Sequence, residues 1–160
     1  MSRILFVCSG LTVGGAERQW SILIPRVQER GFYVSVLTLV AEGVFFDELR
    51  ASGIPVECVG MRRRTDVGGL RRALAHSSSR PDLVVTSSIN AHVVGHVVAR
   101  LARAPHLTTE HSYVGPGHRA RRHRRALARL VGPRVDLAIA VSRAQSRGLF
   151  VSVCLPSGSA

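Results

Sequence analysis

The chain has 160 residues, 46% of them apolar and 20% charged, with a formal net charge of +12. That length suits one domain, which can hide about 68–70% of its unfolded surface, and the composition is too hydrophobic for intrinsic disorder and too mixed for a membrane protein. No apolar run approaches the roughly 18 residues that span a bilayer, and the stretch from Ile4 to Val7 is too short for a signal peptide, so the chain is expected in the cytoplasm.

The run from Arg3 to Cys8 is continuously apolar and reads as a strand buried on both faces, as in a parallel sheet. A glycine-rich loop follows over Ser9 to Gly15. Trp20, Leu23, Ile24 and Val27 then recur at helical spacing, predicting an amphipathic helix from Ala16 to Arg30, closed by Gly31 and kinked or broken at Pro25. Phe32 to Val40 reads as a second strand, Val44 to Ala51 as a short helix stopped by Gly53, and Ile54 to Val59 as a third strand. After the basic stretch Arg62 to Arg64 come a helix over Val67 to His76, a loop over Ser77 to Ser79 and, introduced by Pro81-Asp82, a strand from Leu83 to Thr86. Asn90 is placed to cap a helix from Ala91 to Arg103, which Pro105 ends. His106 to Thr109 is a short strand delivering Glu110 and His111 to its end. Gly115-Pro116-Gly117 precedes a very basic helix from Arg119 to Val131, and the last strand is Val135 to Val141.

Strands alternating with helices in this way predict an α/β fold: a single, open, doubly wound, mostly parallel Rossmann-like sheet, whose ligands sit outside the carboxyl ends of the strands. The loops that matter are then Ser9 to Gly15, Ser87 to Asn90, Glu110 to Gly117 and Ser142-Arg143. Glycines at positions 14 and 15 let backbone N–H groups and a helix end approach an anion closely. Their spacing meets neither the dinucleotide fingerprint nor the phosphate-binding P-loop, so an anion cradle and a tight turn needing positive φ remain equally open.

Cys8, Cys58 and Cys154 are isolated, which predicts reduced, buried, inert thiols and no zinc site. His92 and His96 stand four apart on one helix but lack a third ligand, and read as a helix face. All 22 basic side chains other than histidine are arginine, which makes nucleic acid, anionic lipid and phosphorylated small molecules candidate partners. Nucleic acid is the least supported, since only 5% of residues are aromatic and no recognition motif is present.

The first strand followed by Gly14-Gly15-Ala16-Glu17-Arg18 resembles the N-terminal domain of the GT4 family of glycosyltransferases, retaining enzymes of the GT-B fold. Three further features fall in the family's order: the helix from Ala91 to Arg103 before Pro105, the strand ending Thr108-Thr109-Glu110-His111-Ser112, and the strand ending Ala140-Val141-Ser142. The resemblance implies transfer of a sugar from a nucleotide-sugar to a sugar or lipid-linked acceptor in cell-envelope polysaccharide synthesis, with retention and without a metal or other cofactor. It implies that Gly14 and Gly15 approach the donor diphosphate and that His111 is catalytic, beside the transferred sugar. In isolation His111 reads as a strand-end histidine bonded to its neighbours. Glu17, Arg18, Asn90 and Glu110 lie at the same sheet edge and are candidate acceptor contacts, each with capping or solvation as its alternative.

Arg119, Arg121, Arg122, Arg124 and Arg125 form a patch that reads either as a solvated face or as a peripheral contact with an anionic membrane at the inner face. The GT-B architecture has two Rossmann-like domains, and the length here suits one. Residues 1–149 are therefore expected to form the N-terminal domain and residues 150–160 an irregular tail of truncated or frameshifted text. The donor-binding C-terminal domain is expected to be missing and the 160-residue chain to be inactive alone. Two other readings stay in play: a nucleotide-binding oxidoreductase or epimerase domain, with Glu42 after the second strand as a ribose-binding acid, and a non-catalytic module binding nucleic acid or acidic lipid.

Overall fold

The computed structural model describes residues 1–63, 66–111 and 135–140; for Ile89 and Glu110 it describes the backbone. The elements follow the expected alternation: β1 (Arg3–Gly10), α1 (Gly15–Glu29), β2 (Tyr33–Ala41), α2 (Val44–Ala51), β3 (Val56–Cys58), α3 (Val67–Ala75), β4 (Leu83–Ser87), α4 (Ile89–Ala102), β5 (His106–Glu110) and β6 (Leu137–Ala140). The strands form one six-stranded sheet in the order β3-β2-β1-β4-β5-β6. Every pairing is parallel.

β1 shows why its sequence is a continuous apolar run. Ile4, Phe6 and Cys8 face a core shared with Trp20 and Ile24 of α1 and with Phe45, Phe46 and Leu49 of α2. Leu5 and Val7 face the opposite core, with Ala73 of α3 and Ala91, Val94, Val98 and Ala99 of α4. Alternation is invisible in the sequence because both faces are covered, and each large side chain so buried contributes roughly 1.5–3 kcal/mol. Trp20 also packs edge-on against Phe6, with ring centroids 5.2 Å apart.

Several local expectations change. Pro25 does not break α1, which runs unbroken from Gly15 to Glu29. Proline removes only the bond to the Ser21 carbonyl, and burial of Ile24 beside a half-buried Val27 holds the helix on the sheet. Leu23 is 45% exposed, because the stripe centred on Trp20, Ile24 and Val27 leaves it on the shoulder of the helix. The segment His76–Ser79 is a 3-10 turn, not a loop. Ser77, Ser78 and Ser79 each donate from the hydroxyl to the carbonyl three residues back, which satisfies a tightly wound turn.

Asn90 does not cap α4. The helix begins at Ile89, with Ser88 in the cap position. β3 is only three residues long; Pro55 has no N–H to give the ladder, although its carbonyl accepts from Val36 N. The expected basic helix, with Arg119, Arg121, Arg122, Arg124 and Arg125, lies outside the described residues, as do Ser142, Cys154 and the 150–160 tail. Among the described residues no helix is long and apolar enough to cross a membrane.

Candidate functional site

The chain leaves β1 toward β2 and β3 and later returns to place β4 on the other side of β1, so the topology switches between β1 and β4. Connections part there, and a crevice opens at the carboxyl ends of the two strands. It is lined by Cys8, Ser9, Gly10 and Leu11 from β1 and its loop, by Ala16, Glu17 and Trp20 from α1, and by Ser87 and Ser88 after β4. Register places Val7 beside Thr86, Thr86 beside Thr108, and Ser87 beside Thr109. Continuing that register, Ser9, Ser88 and Glu110 end three adjacent strands at one level. The ends of β1 and β5 are then roughly 10 Å apart, at ~4.8 Å per strand.

Ser9 and Ser88 share a hydrogen bond of 2.6 Å between their hydroxyls. This is why Ser88 stands at the cap position of α4 without capping it. Its backbone lies at φ 78 and ψ 147, a region that L side chains rarely adopt and that costs on the order of 1–3 kcal/mol.

The glycine turn is not held by unusual dihedrals. Gly14 is extended, at φ −174, and neither Gly14 nor Gly15 has positive φ. The expectation of a tight turn needing positive φ is therefore overturned. A side chain at Gly14 would meet only the flexible end of Glu17, and one at Gly15 would meet nothing within 4 Å. The glycine that the turn does need is Gly43, in the loop after β2. A Cβ there would come within 2.8 Å of Leu11 O and Thr12 Cα, while Phe45 N donates to Leu11 O at 3.2 Å. The β1–α1 loop thus rests on the β2–α2 loop.

Glu17 occupies the first turn of α1, where a carboxylate suits the positive helix end, and lines the crevice. Burial, with Glu17 adding to it, pushes the Cys8 thiol up to about 12. The inert cysteine expected at position 8 is found, whereas Cys58 is only half-buried. Arg18 turns away toward α2: its guanidinium is 3.8 Å from Glu48 Oε2 and lies over the Phe45 ring at 5.7 Å.

Asn90 is half-buried on the first turn of α4. Glu110 ends β5 and His111 follows it, half-buried, with Nε2 3.1 Å from Thr109 Oγ1. Gly14, Gly15 and His111 therefore stand at one edge of the sheet, with the end of β4 between them.

Below that edge is a polar layer that spacing did not reveal. Thr108 Oγ1 lies 2.9 and 2.8 Å from Nδ1 and Nε2 of His92. His106, 1% exposed, places Nε2 2.9 Å from Thr86 Oγ1 and its ring 5.7 Å from that of His96. Burial lowers the His106 pKa to about 4; the neighbouring His96 adds to this and Asp136 opposes it. Among the described residues no group of three or more His, Cys, Asp or Glu side chains is placed to hold a metal ion. His92 and His96 share one face of α4, and that face is turned to β5. A histidine in an apolar helix, facing threonines on a strand, was the available signal.

A six-stranded parallel α/β sheet whose strand order switches between β1 and β4 defines a Rossmann-like domain. The chain belongs to Glycosyltransferase Family 4, whose family model matches residues 13–149. Among solved structures it is similar to Anabaena HepE (Alr3699), determined in complex with UDP, with a TM-score of 0.78 and 24% identity; 94% of this chain covers 40% of that one. It is also similar to Acinetobacter baumannii MurG, with a TM-score of 0.60 and 18% identity over 88% of this chain and 41% of that one. A third similar structure is a putative UDP-N-acetylglucosamine 2-epimerase from Listeria monocytogenes, at 0.61 and 10% identity, with 93% and 41% coverage. At these identities the likeness is one of fold, and the chain spans about 40% of the length of those proteins. No curated protein matched the sequence.

Proposed function

We propose that this chain supplies the acceptor-side domain of a retaining glycosyltransferase that moves a sugar from a nucleotide-sugar to a sugar or lipid-linked acceptor. The observation that carries the reading is the placement of the Gly14-Gly15 turn and His111 at one sheet edge, on the two strands flanking β4. Family membership supports the reaction class, and HepE, the neighbour solved with UDP, supports a nucleotide donor.

In this reading the N–H groups at Gly14 and Gly15 face the donor diphosphate. His111 lies against the transferred sugar and stabilises charge as it develops at the anomeric carbon. The bond from that carbon to the diphosphate oxygen breaks, the acceptor oxygen bonds on the same face, and the acceptor proton passes to the departing phosphate. No metal is required. Glu17, Asn90 and Glu110 contact the acceptor. Arg18, paired with Glu48, contacts it only by leaving that pair. Donor and acceptor are brought together by two lobes, and proximity of that kind is worth roughly 7–11 kcal/mol. A polypeptide of these 160 residues is therefore expected not to turn over by itself.

Thermal denaturation with UDP-glucose and with NAD tests the donor class. With most donor contacts in the other lobe, the nucleotide-sugar is expected to shift the midpoint little and NAD to leave it unchanged; a rise with NAD but not with the nucleotide-sugar would point to an oxidoreductase. Robust sugar transfer by the polypeptide alone would defeat the two-lobe reading. The arginines at 119, 121, 122, 124 and 125 are assigned to peripheral contact with an anionic membrane, which predicts salt-sensitive binding to acidic vesicles.

A further inference from the structure

We propose that Thr109 is a positioning residue for His111, holding its neutral ring in the form that carries the proton on Nε2 and the lone pair on Nδ1. The consequence for sugar transfer rests on the function proposed above; the tautomer rests on the hydrogen bonds of the sheet edge.

A hydroxyl has one proton to give. Thr109 Oγ1 donates to the Thr86 carbonyl at 3.3 Å, and a carbonyl can only accept, so that proton is committed. What Thr109 Oγ1 then turns to His111 is a lone pair. His111 Nε2, 3.1 Å away, meets it as a donor, which places the ring proton on Nε2 and makes Nδ1 the basic nitrogen. Thr109 is buried, so water competes little for its hydroxyl.

The spacing of the chain supports this arrangement. Thr109 and His111 stand two apart, and side chains at that spacing fall on one face of an extended segment. The register of β5 against β4 sets Thr108 beside Thr86 and Thr109 beside Ser87, which brings the Thr86 carbonyl within reach. The same pattern recurs deeper in the sheet: Thr86 Oγ1 donates to the Leu107 carbonyl at 3.4 Å and lies 2.9 Å from His106 Nε2.

In the proposed transfer, positive charge builds at the anomeric carbon. With Nε2 given to Thr109, a hydrogen bond from a sugar hydroxyl to the ring is taken at Nδ1. A lone pair there favours the developing charge, whereas an N–H in its place would oppose it and could only donate. Thr109 acts on the reaction only through His111.

The test is long-range proton–nitrogen correlation spectroscopy of the histidine rings in the full chain at about pH 8.5, well above the ordinary histidine value of ~6.5. The His111 signals are assigned by their loss in His111→Gln. A pyrrole-like Nε2 and a pyridine-like Nδ1 are expected. Thr109→Val keeps the shape and removes the hydroxyl; it is expected to lower the ratio of Nε2–H to Nδ1–H forms about fivefold, the effect of one hydrogen bond. Thr109→Ser is expected to restore the ratio, and the His106 signals in the same spectra are expected to stay in place. A threonine that served only packing would lower the melting temperature on replacement without moving the ratio.

The positioning role is overturned if His111 carries its proton on Nδ1 in the wild type, if Thr109→Val leaves the ratio unchanged or moves the His106 signals equally, or if Thr109→Ser fails to restore it. The wild-type and Thr109→Ser spectra decide the matter even if Thr109→Val does not fold. These spectra are taken without substrate. An Nε2–H ring together with a melting midpoint raised by NAD and not by UDP-glucose would keep the positioning of His111 and defeat the glycosyltransferase reading; an Nδ1–H ring would defeat the positioning and leave that reading standing.

Discussion

His106 makes the stability of this domain depend on pH in a direction that can be worked out in advance. It is buried in the sheet at the start of β5, hydrogen-bonded to Thr86 Oγ1, and burial lowers its pKa from 6.5 to about 4. In the unfolded chain the ring returns to its ordinary value, so between those two values the unfolded state binds more protons than the folded one. The contribution of the neutral ring is fully present above pH 6.5, is lost as pH falls through the window, and is gone below about 4. At ~1.4 kcal/mol per pH unit, the whole window is worth roughly 3 kcal/mol, a large part of the stability of a small domain. Urea denaturation followed by Trp20 fluorescence, on the wild type and on His106→Gln, isolates it. The glutamine retains a polar group toward Thr86 and does not titrate, while the other histidines largely cancel between the two proteins. The variant is expected to be less stable at neutral pH and to lose less stability on acidification. Equal losses in the two proteins across the window would refute the assignment.

Gly95→Ala is expected to destabilise by about 1–2 kcal/mol, because its Cβ would run into Thr86 Cγ2 where α4 crosses β4, and overpacking outweighs the gain in helix propensity; chemical denaturation measures it. Gly15→Ala, with open space around it, is expected to leave stability unchanged or raise it by up to ~1 kcal/mol. Gly43→Ala should cost about 1–3 kcal/mol and shift the Gly14 and Gly15 amide resonances, since the added methyl meets backbone of the β1–α1 loop; unshifted resonances would show that the two loops are independent. Iodoacetamide labelling with peptide mapping is expected to modify half-buried Cys58 well before Cys8, whose thiol is held at about 12; equal rates would contradict the burial of Cys8.

Much of this architecture was legible from the chain because it rests on local rules. The apolar run at Ile4 to Cys8, the helical spacing of Trp20, Ile24 and Val27, and the alternation of strand and helix each state what one segment must bury. The glycine turn and His111 could be placed at one edge because parallel strands deliver all their following loops to the same side. Where the reading failed, a partner distant in sequence decided the outcome. Asn90 looked like a cap because its side chain suits one, but the start of α4 was set by Ser88, held 79 positions away by Ser9. His92 and His96 could be placed on one helix face, but nothing nearby in sequence shows that Thr108 and His106 stand opposite them.

The amino-acid sequence by itself therefore determined the class of fold, the strand and helix order, the edge at which chemistry is placed, and the family. These follow from hydrophobic periodicity, turn residues and a short motif, all readable within a dozen positions. Tertiary structure alone decided the crevice between β1 and β4, the dependence of the glycine turn on Gly43, and the neutral histidine beneath the sheet edge. Each of these arises from contacts across the switch in strand order or between layers, where the distance between atoms bears no relation to their distance along the chain.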